Sequence, residues 1–386
     1  MNDADQENSQ ARSLELSLND KLRDASPMAN GATGDDQLGS VKEVEEESAE
    51  PWFEWVNKGE CAWAKGKLDH VKGFNHVAIS SDESPSCGVA LVSVSCTDGC
   101  VSIYDAESMG KIYSFSGHSE GVNCSTFNSE CDRVASCSDD CSLRIWSPPD
   151  YDNTNRVLTG KGRCIAVCRG HPQGGWSGHT QPVTRCEFSP DGHIVVSCSD
   201  DKTIKTWDPE TGLLQHTLEG HNGWVHYIAH APSAPILASA SDDGLLKLWS
   251  IGVAPNPTDP NGDTQAKLLG DLVGHTSPVS SCCFSNDNFF LASSADDRSI
   301  RIWSVKTLSL DKLMSVPRAA VMLRFDREAW RIWAVLEDGL LVVLDVATKS
   351  PLLAIFPLPK GIGGPAGAWA IQPEVKLLSA LLNHRP

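Results

Sequence analysis

The chain has 386 residues and a formal net charge of −18 at pH 7, and 40% of its residues are hydrophobic. No apolar run reaches the roughly 18 residues of a membrane-spanning helix, so the sequence predicts no membrane span. The first ten residues, MNDADQENSQ, are acidic and polar, unlike a secretory signal peptide. We therefore expect a protein of the cytoplasm or the nucleus, and the negative charge disfavours direct binding of nucleic acid.

Residues 1–50 have the composition of a disordered tail. They contain thirteen Asp and Glu against four Lys and Arg, a net charge of −9 and half of the charge of the whole chain. Few aromatic residues and many Ser, Asn, Asp and Glu leave too little apolar surface to form a core. The tail is predicted to end near Pro51.

From Pro51 onwards the chain repeats one pattern. His118, His179, His221 and His275 each lie 22 residues before an Asp and 28 residues before a Trp. Residues 178–208 show the unit: the strand-like runs VTRCEF, HIVVSCS and TIKTW are separated by the turn sequences SPDG and SDDK. Such a Gly-His to Trp-Asp unit, repeated every 40 to 60 residues or so, predicts four-stranded propeller blades.

On these residues the chain resembles the WD40-repeat family. The resemblance covers about residues 52–386 and implies an all-β fold, a WD40 β-propeller over residues 51–386. It is specific for the fold and says little about function, because propellers carry many unrelated functions.

The blades follow in chain order. PWFEWV and ECAWAKG, between residues 51 and 66, are predicted strands of an incomplete blade, and Tyr104 takes the Trp position of the next one. Four regular blades follow, with inserts at 147–177, which includes the predicted outer strand RCIAVC, and at 251–266. A degenerate sixth blade has Leu344 in the Trp position, and AWAIQPEVKLLSALL supplies two last strands. We predict seven blades, the seventh closed by pairing of the N-terminal and C-terminal strands, which removes exposed sheet edges. Six blades with loose ends is the alternative.

The fourteen cysteines show no C-x-x-C pattern and no zinc-finger spacing. Without a secretory signal a reducing compartment is expected, where disulfides are rare. Several cysteines recur at equivalent strand positions, so we interpret them as small buried core residues and predict no metal or other cofactor.

The resemblance gives a structural role to the repeated polar residues. In the family the imidazole, a strand hydroxyl, the turn Asp and the indole N–H form one buried hydrogen-bonded set, called the tetrad below. The matching tetrads are His118, Ser136, Asp140 and Trp146; His179, Ser197, Asp201 and Trp207; His221, Ser239, Asp243 and Trp249; and His275, Ser293, Asp297 and Trp303. A Ser-His-Asp set also occurs in hydrolases, but four equivalent copies argue against one catalytic site. No phosphate-binding loop motif is present, and we predict no enzyme activity.

The family usually binds partners on one end of the propeller, its top face. Three positions per blade are implied to lie there: the residues on either side of the first residue of the first strand, and the residue before the turn Asp. The predicted partner-binding residues, called the top-face set below, are Asn123, Asp139, Thr184, Asp200, Trp224, His226, Asp242, Ser280 and Asp296. One interpretation of these Asp residues is favourable turn chemistry alone. The other is an acidic surface around Trp224, whose complement would be a basic peptide segment.

The sequence therefore predicts a non-enzymatic scaffold that binds proteins or peptides through its top face within a multiprotein complex. The alternative is a substrate-recognition or sensor subunit of an enzyme assembly, such as a ubiquitin ligase or a signalling ATPase. Family members that dock on cullin-ligase adaptors often carry W-D-x-R after a blade strand. Here Pro209 and Glu210 follow Trp207-Asp208, so that motif is missing.

Overall fold

The structure is a computed structural model of the chain. It describes residues 73–80, 91–106, 110–152, 157–159, 162–169, 178–251, 266–326, 331–346, 352–357, 368–372 and 377–381. The predicted disordered tail and the two predicted strands between residues 51 and 66 lie outside the described residues. No helix in these ranges is long and apolar enough to cross a membrane.

Within the described residues the strands form six antiparallel four-stranded sheets. The first sheet contains β1 (Phe74–Ile79), β2 (Leu91–Cys96), β3 (Cys100–Asp105) and β4 (Lys111–Ser116). The second contains β5 (Val122–Phe127), β6 (Val134–Ser138), β7 (Leu143–Ser147) and β10 (Arg163–Cys168). Between β7 and β10 a separate pair forms, β8 (Asp150–Asp152) with β9 (Val157–Thr159).

The next four sheets follow the chain without interruption. The third contains β11 (Val183–Phe188), β12 (Val195–Ser199), β13 (Ile204–Trp207) and β14 (Leu214–Leu218). The fourth contains β15 (Val225–His230), β16 (Ile236–Ser241), β17 (Leu246–Ser250) and β18 (Lys267–Leu272). The fifth contains β19 (Val279–Phe284), β20 (Phe290–Ala295), β21 (Ser299–Ser304) and β22 (Ser309–Ser315). The sixth contains β23 (Ala320–Phe325), β24 (Arg331–Leu336), β25 (Leu340–Asp345) and β26 (Leu352–Pro357).

The C-terminal sequence forms one more pair, β27 (Ala368–Gln372) with β28 (Leu377–Leu381). The first strand of each sheet contacts the first strand of the next, from β1 through β5, β11, β15 and β19 to β23. β27 contacts β23 and also β1. The described strands thus confirm an all-β fold of repeated four-stranded sheets, with RCIAVC as the outer strand of the second sheet. The β8–β9 pair was not predicted.

The turn between the second and third strands is built in the same way in every sheet. One oxygen of the turn Asp accepts a hydrogen bond from the backbone N–H two residues later, for example Asp201 Oδ1 from Thr203 at 2.9 Å. The residue between them adopts a positive φ, which is 83° at Gly99 and 71° at Lys202. Glycine takes this conformation without strain, but Lys202 shows that glycine is not required here. The turn Asp is therefore the constant element of these turns.

Each first strand has a β-bulge at its second residue, where its register with the second strand shifts. The bulged residues are Asn75, Asn123, Thr184, His226, Ser280 and Val321. The residue before each first strand accepts a backbone hydrogen bond from the residue before the turn Asp, as Trp224 O does from Asp242 N at 2.9 Å. A bulge re-aims one side chain of a strand, so this repeated bulge sets the direction of the side chains at the start of every first strand.

The core consists of apolar layers between successive sheets. Between the second and third sheets, for example, Leu143 and Ile145 pack with Val183, Phe188 and Trp207. The Trp of each tetrad lies in the layer between its own sheet and the preceding one. Two or three strands cannot bury both faces alone, and this packing shows how each sheet is covered by its neighbours.

Candidate functional site

The four predicted tetrads have one geometry. In the third sheet, Trp207 Nε1 donates to Ser197 Oγ at 2.8 Å, and His179 Nε2 lies 2.8 Å from the same oxygen. His179 Nδ1 lies 2.9 Å from Asp201 Oδ2, which also accepts the backbone N–H of Thr180 at 3.1 Å. The structure brings together the corresponding four residues of the second, fourth and fifth sheets with the same connections.

The first and sixth sheets lack this set. Tyr104 and Leu344 occupy the Trp position there, and both are buried. These two sheets therefore keep a large buried side chain at this position without the tetrad.

The tetrad serine is not placed for chemistry on a substrate. Ser197 is fully buried, and its hydroxyl oxygen is already in contact with the indole of Trp207 and the imidazole of His179. A nucleophile must reach its substrate, and the same holds for Ser136, Ser239 and Ser293, which are also fully buried. The arrangement satisfies buried polar groups, which would otherwise cost free energy.

Three polar residues of the top-face set bond to the neighbouring sheet. Asn123 Nδ2 donates to Val183 O at 3.1 Å, Thr184 Oγ1 to Val225 O at 2.6 Å, and Ser280 Oγ to Ala320 O at 2.8 Å. All three are bulged residues, so the bulge points them at the first strand of the next sheet. Their side chains are half-buried and join adjacent sheets, a role that the sequence did not predict.

Trp224 is the exposed member of the top-face set. Its exposed fraction is 51%, whereas the four tetrad tryptophans are at most 4% exposed. Its ring and the imidazole of His226 form an edge-to-face pair, with centroids 6.4 Å apart and planes at 86°. His226 Nε2 in turn lies 2.6 Å from Asp242 Oδ1, and both side chains are one-third exposed. At the residue before the first strand the neighbouring sheets carry Pro182 and Pro278, so the repeat does not require an aromatic side chain here.

The carboxylates of three neighbouring sheets influence one another beside Trp224. Burial raises the pKa of Asp200 above its ordinary value, and the negative charges of Asp242 and Asp139 raise it further, while His226 opposes the shift. Asp139 Oδ1 accepts a hydrogen bond from Asn123 at 2.7 Å. Asp296, in the fifth sheet, is exposed. The structure thus brings Asp139, Asp200 and Asp242 into one acidic patch.

A polar cluster lies one residue further along the first strands. The guanidinium carbon of Arg185 lies 3.7 Å from the centroid of the Tyr227 ring, and Arg324 Nη1 donates to Tyr227 Oη at 3.0 Å. Arg185 Nη1 lies 3.5 Å from His76 Nε2, and His76 Nδ1 lies 3.6 Å from Cys124 Sγ. These side chains come from β1, β5, β11, β15 and β23. The sequence did not predict this cluster, although all of its members but Arg324 occupy the position that follows the bulge.

Most described cysteines are buried and all are free. Burial raises the pKa of Cys198 and of Cys283 to about 12, so these thiols stay protonated. Cys124 behaves differently. Hydrogen bonds from the thiols of Cys137 and Cys186 hold its pKa well below the ordinary value, against the effect of burial and with help from His76 and Arg185.

Repeated four-stranded antiparallel sheets whose first strands pack side by side define a propeller-type repeat protein. The family model for the WD domain, G-beta repeat, matches residues 109–147, 162–208, 212–250 and 266–304. The chain therefore carries WD40 repeats in four places.

Relatives of known name align with parts of the chain. A nuclear distribution protein PAC1 of Arthroderma otae is 26% identical over 58% of this chain and 49% of its own length. The WD repeat, SAM and U-box domain-containing protein 1 of Gallus gallus is 34% identical over 29% of this chain and 20% of its own length. A Lissencephaly-1 homolog of Caenorhabditis briggsae is 56% identical over 14% of this chain and 13% of its own length. The chain spans about half or less of these relatives, so their similarity concerns the repeats.

Proposed function

We propose that this chain is a non-enzymatic scaffold that binds a basic segment of a partner protein on its top-face set, in the cytoplasm or the nucleus. The observation that carries the proposal is Trp224, an exposed aromatic residue beside an acidic patch. Exposed Trp residues are frequent binding hot spots in interfaces. WD40 relatives support an interaction role in general.

The direction of the strands explains why these residues share one surface. The hydrogen bonds from Asn123 to Val183 and from Thr184 to Val225 join the beginnings of neighbouring first strands. Residues at the start of β5, β11 and β15 therefore lie at the same end of the sheets. A lysine or arginine side chain at this end would meet Asp139, Asp200 and Asp242, while its neighbours in the peptide could contact the indole of Trp224.

The first test uses a partner captured with the full-length chain and identified by mass spectrometry, together with a synthetic peptide from its basic segment. Trp224→Ala should weaken binding by about 2 kcal/mol, roughly thirtyfold in Kd, because aromatic anchors dominate interface energies. Melting should change little, because the side chain is half exposed. Isothermal titration at two salt concentrations measures both the affinity and its electrostatic part.

Two variants provide the controls. Phe289→Ala removes another exposed aromatic side chain, from the turn at the far end of the fifth sheet, and should bind like the wild type. Asp296→Lys reverses an exposed charge at the equivalent position of the fifth sheet and should chiefly slow association and reduce its salt dependence. The proposal fails for that partner if Trp224→Ala and Phe289→Ala bind equally well.

We further propose that the propeller has seven blades and that its two ends close it. β27 and β28 are two strands, too few for an independent sheet. The contacts of β27 with both β23 and β1 support a seventh blade between the sixth and first sheets. Its missing third and fourth strands would come from the predicted runs PWFEWV and ECAWAKG.

Two truncations test this closure. Removing residues 51–66 along with the tail should expose the edges of β27–β28 and cause aggregation, because unpaired edges associate. Removing residues 1–45 alone should leave the melting temperature and the monomeric state unchanged. Size-exclusion chromatography and thermal melting compare the two, and equal behaviour of both truncations would contradict the closure.

A further inference from the structure

Three thiols meet in the layer between the second and third sheets. Cys124 lies on β5, Cys137 lies opposite it on β6, and Cys186 lies on β11. Their Sγ atoms are all within 4.8 Å of one another, and the three side chains are buried. Among the described residues no other group of three His, Cys, Asp or Glu side chains comes together in this way.

The fold creates the same three-residue position at every interface between successive sheets. It consists of the third residue of a first strand, the residue paired with it on the second strand, and the fourth residue of the next first strand. Between the first and second sheets these are His76, Ser95 and Ser125, where the two serine oxygens are 2.8 Å apart.

The later interfaces hold at most one cysteine in this position. The sets are Arg185, Cys198 and Ile228; Tyr227, Ala240 and Cys282; and Ser281, Ser294 and Leu323. The role of a small buried core residue is enough to explain Cys198 and Cys282, because each is the single cysteine in its set. That role does not account for three sulfurs at one interface, where the sequence predicted only core residues.

We propose that Cys124, Cys137 and Cys186 form a binding site for a thiophilic metal ion, Zn²⁺ or Cu⁺. Soft thiolate ligands select these ions. With metal–sulfur bonds of about 2.3 Å, three ligand sulfurs lie about 4 Å apart. The sulfurs therefore need to approach one another by less than about 1 Å to bind an ion.

The surroundings suit such an ion. Three thiolates carry three negative charges, and the guanidinium of Arg185 beside His76 and Cys124 supplies a compensating positive charge. The N–H of Arg185 Nη1 faces His76 Nε2, which places the ring proton on Nδ1, directed at Cys124 Sγ. An outer partner of this kind orients a ligand and favours its charged form. Binding releases one proton from each thiol that ionises, so affinity rises with pH.

The decisive measurement uses the wild-type full chain, kept under anaerobic conditions with a reductant that contains no thiol. Co²⁺, as a spectroscopic substitute for Zn²⁺, and Cu⁺ are titrated separately. We expect one equivalent of one ion to produce intense sulfur-to-metal charge-transfer absorption, and the responding ion identifies the metal. If neither ion produces this absorption, the site does not exist. This result does not depend on how any variant folds.

Variants then locate the site. Cys186→Ser should lower the affinity for the responding ion at least tenfold, measured by competition with a chromophoric chelator. Cys282→Ser is the matched control, because Cys282 is the fourth residue of β19, as Cys186 is of β11, and is equally buried. It should bind like the wild type, with circular dichroism confirming the fold of both. Equal affinities of Cys186→Ser and the wild type, or equal losses in both variants, would overturn the proposal.

Discussion

Replacing Trp207 with alanine should lower the free energy of unfolding by about 4–8 kcal/mol. The indole is fully buried against Phe188 and Val195, and truncation of a buried aromatic residue costs about 3–5 kcal/mol. The variant also removes the hydrogen bond that Ser197 Oγ accepts from the indole N–H, and leaving this buried acceptor without its donor costs about 1–3 kcal/mol more. Thermal melting and denaturant unfolding measure the loss.

Two variants separate the contributions. Trp207→Phe keeps most of the apolar volume but cannot donate to Ser197, so its loss should fall between that of alanine and the wild type. Trp224→Ala removes an indole of the same size from an exposed position and should leave the melting temperature almost unchanged. An unchanged melting temperature of Trp207→Ala would show that the tetrad does not stabilise the fold.

The spacing of the sequence placed the tetrads because every member lies within one repeat. His179, Ser197, Asp201 and Trp207 are separated by fixed numbers of residues in strands that pair in sequence order, so a constant spacing becomes a constant geometry. The outer strand RCIAVC was predictable from its local sequence as well, because its length and alternation suit an edge strand.

Contacts between repeats could not be predicted in this way. The bulge at Thr184 is a backbone feature, and whether its hydroxyl faces a partner or Val225 O depends on the neighbouring sheet. The thiols of Cys124 and Cys186 are 62 residues apart in the chain and meet only because β5 packs beside β11. The period of a repeat is visible in its sequence. The members of such a cluster occupy different positions in successive repeats, so the period alone does not reveal it.

The tetrads should make the protein unstable in acid in two stages. Burial lowers the pKa of His179 and His275 below their ordinary value of 6.5, against the pull of Asp201 and Asp297. The unfolded chain therefore takes up these protons at a higher pH than the folded one. Their contribution to stability is fully present above pH 6.5 and is lost as the pH falls below it.

The carboxylates act at lower pH. Burial opposes ionisation of Asp297, but hydrogen bonds from Ser299, His275 and the backbone of Thr276 lower its pKa from 3.8 to about 2. Burial also opposes ionisation of Asp243, but its hydrogen bond with His221 helps to lower its pKa to about 2. The stability that these groups contribute is present above pH 3.8 and is lost as the pH falls towards 2. After allowance for solvent screening, each should contribute on the order of 1–2 kcal/mol.

A pair of adjacent residues tests this dependence. Asp297→Asn removes a tetrad carboxylate, and Asp296→Asn removes the exposed carboxylate beside it in the chain. At neutral pH the loss of stability relative to the wild type should be larger for Asp297→Asn than for Asp296→Asn. The gap between Asp297→Asn and the wild type should narrow as the pH falls from about 4 to about 2, because the wild-type carboxylate is then protonated as well. Melting temperatures measured across this range decide the matter, and a gap that stays constant would mean that the charge of Asp297 does not contribute to stability.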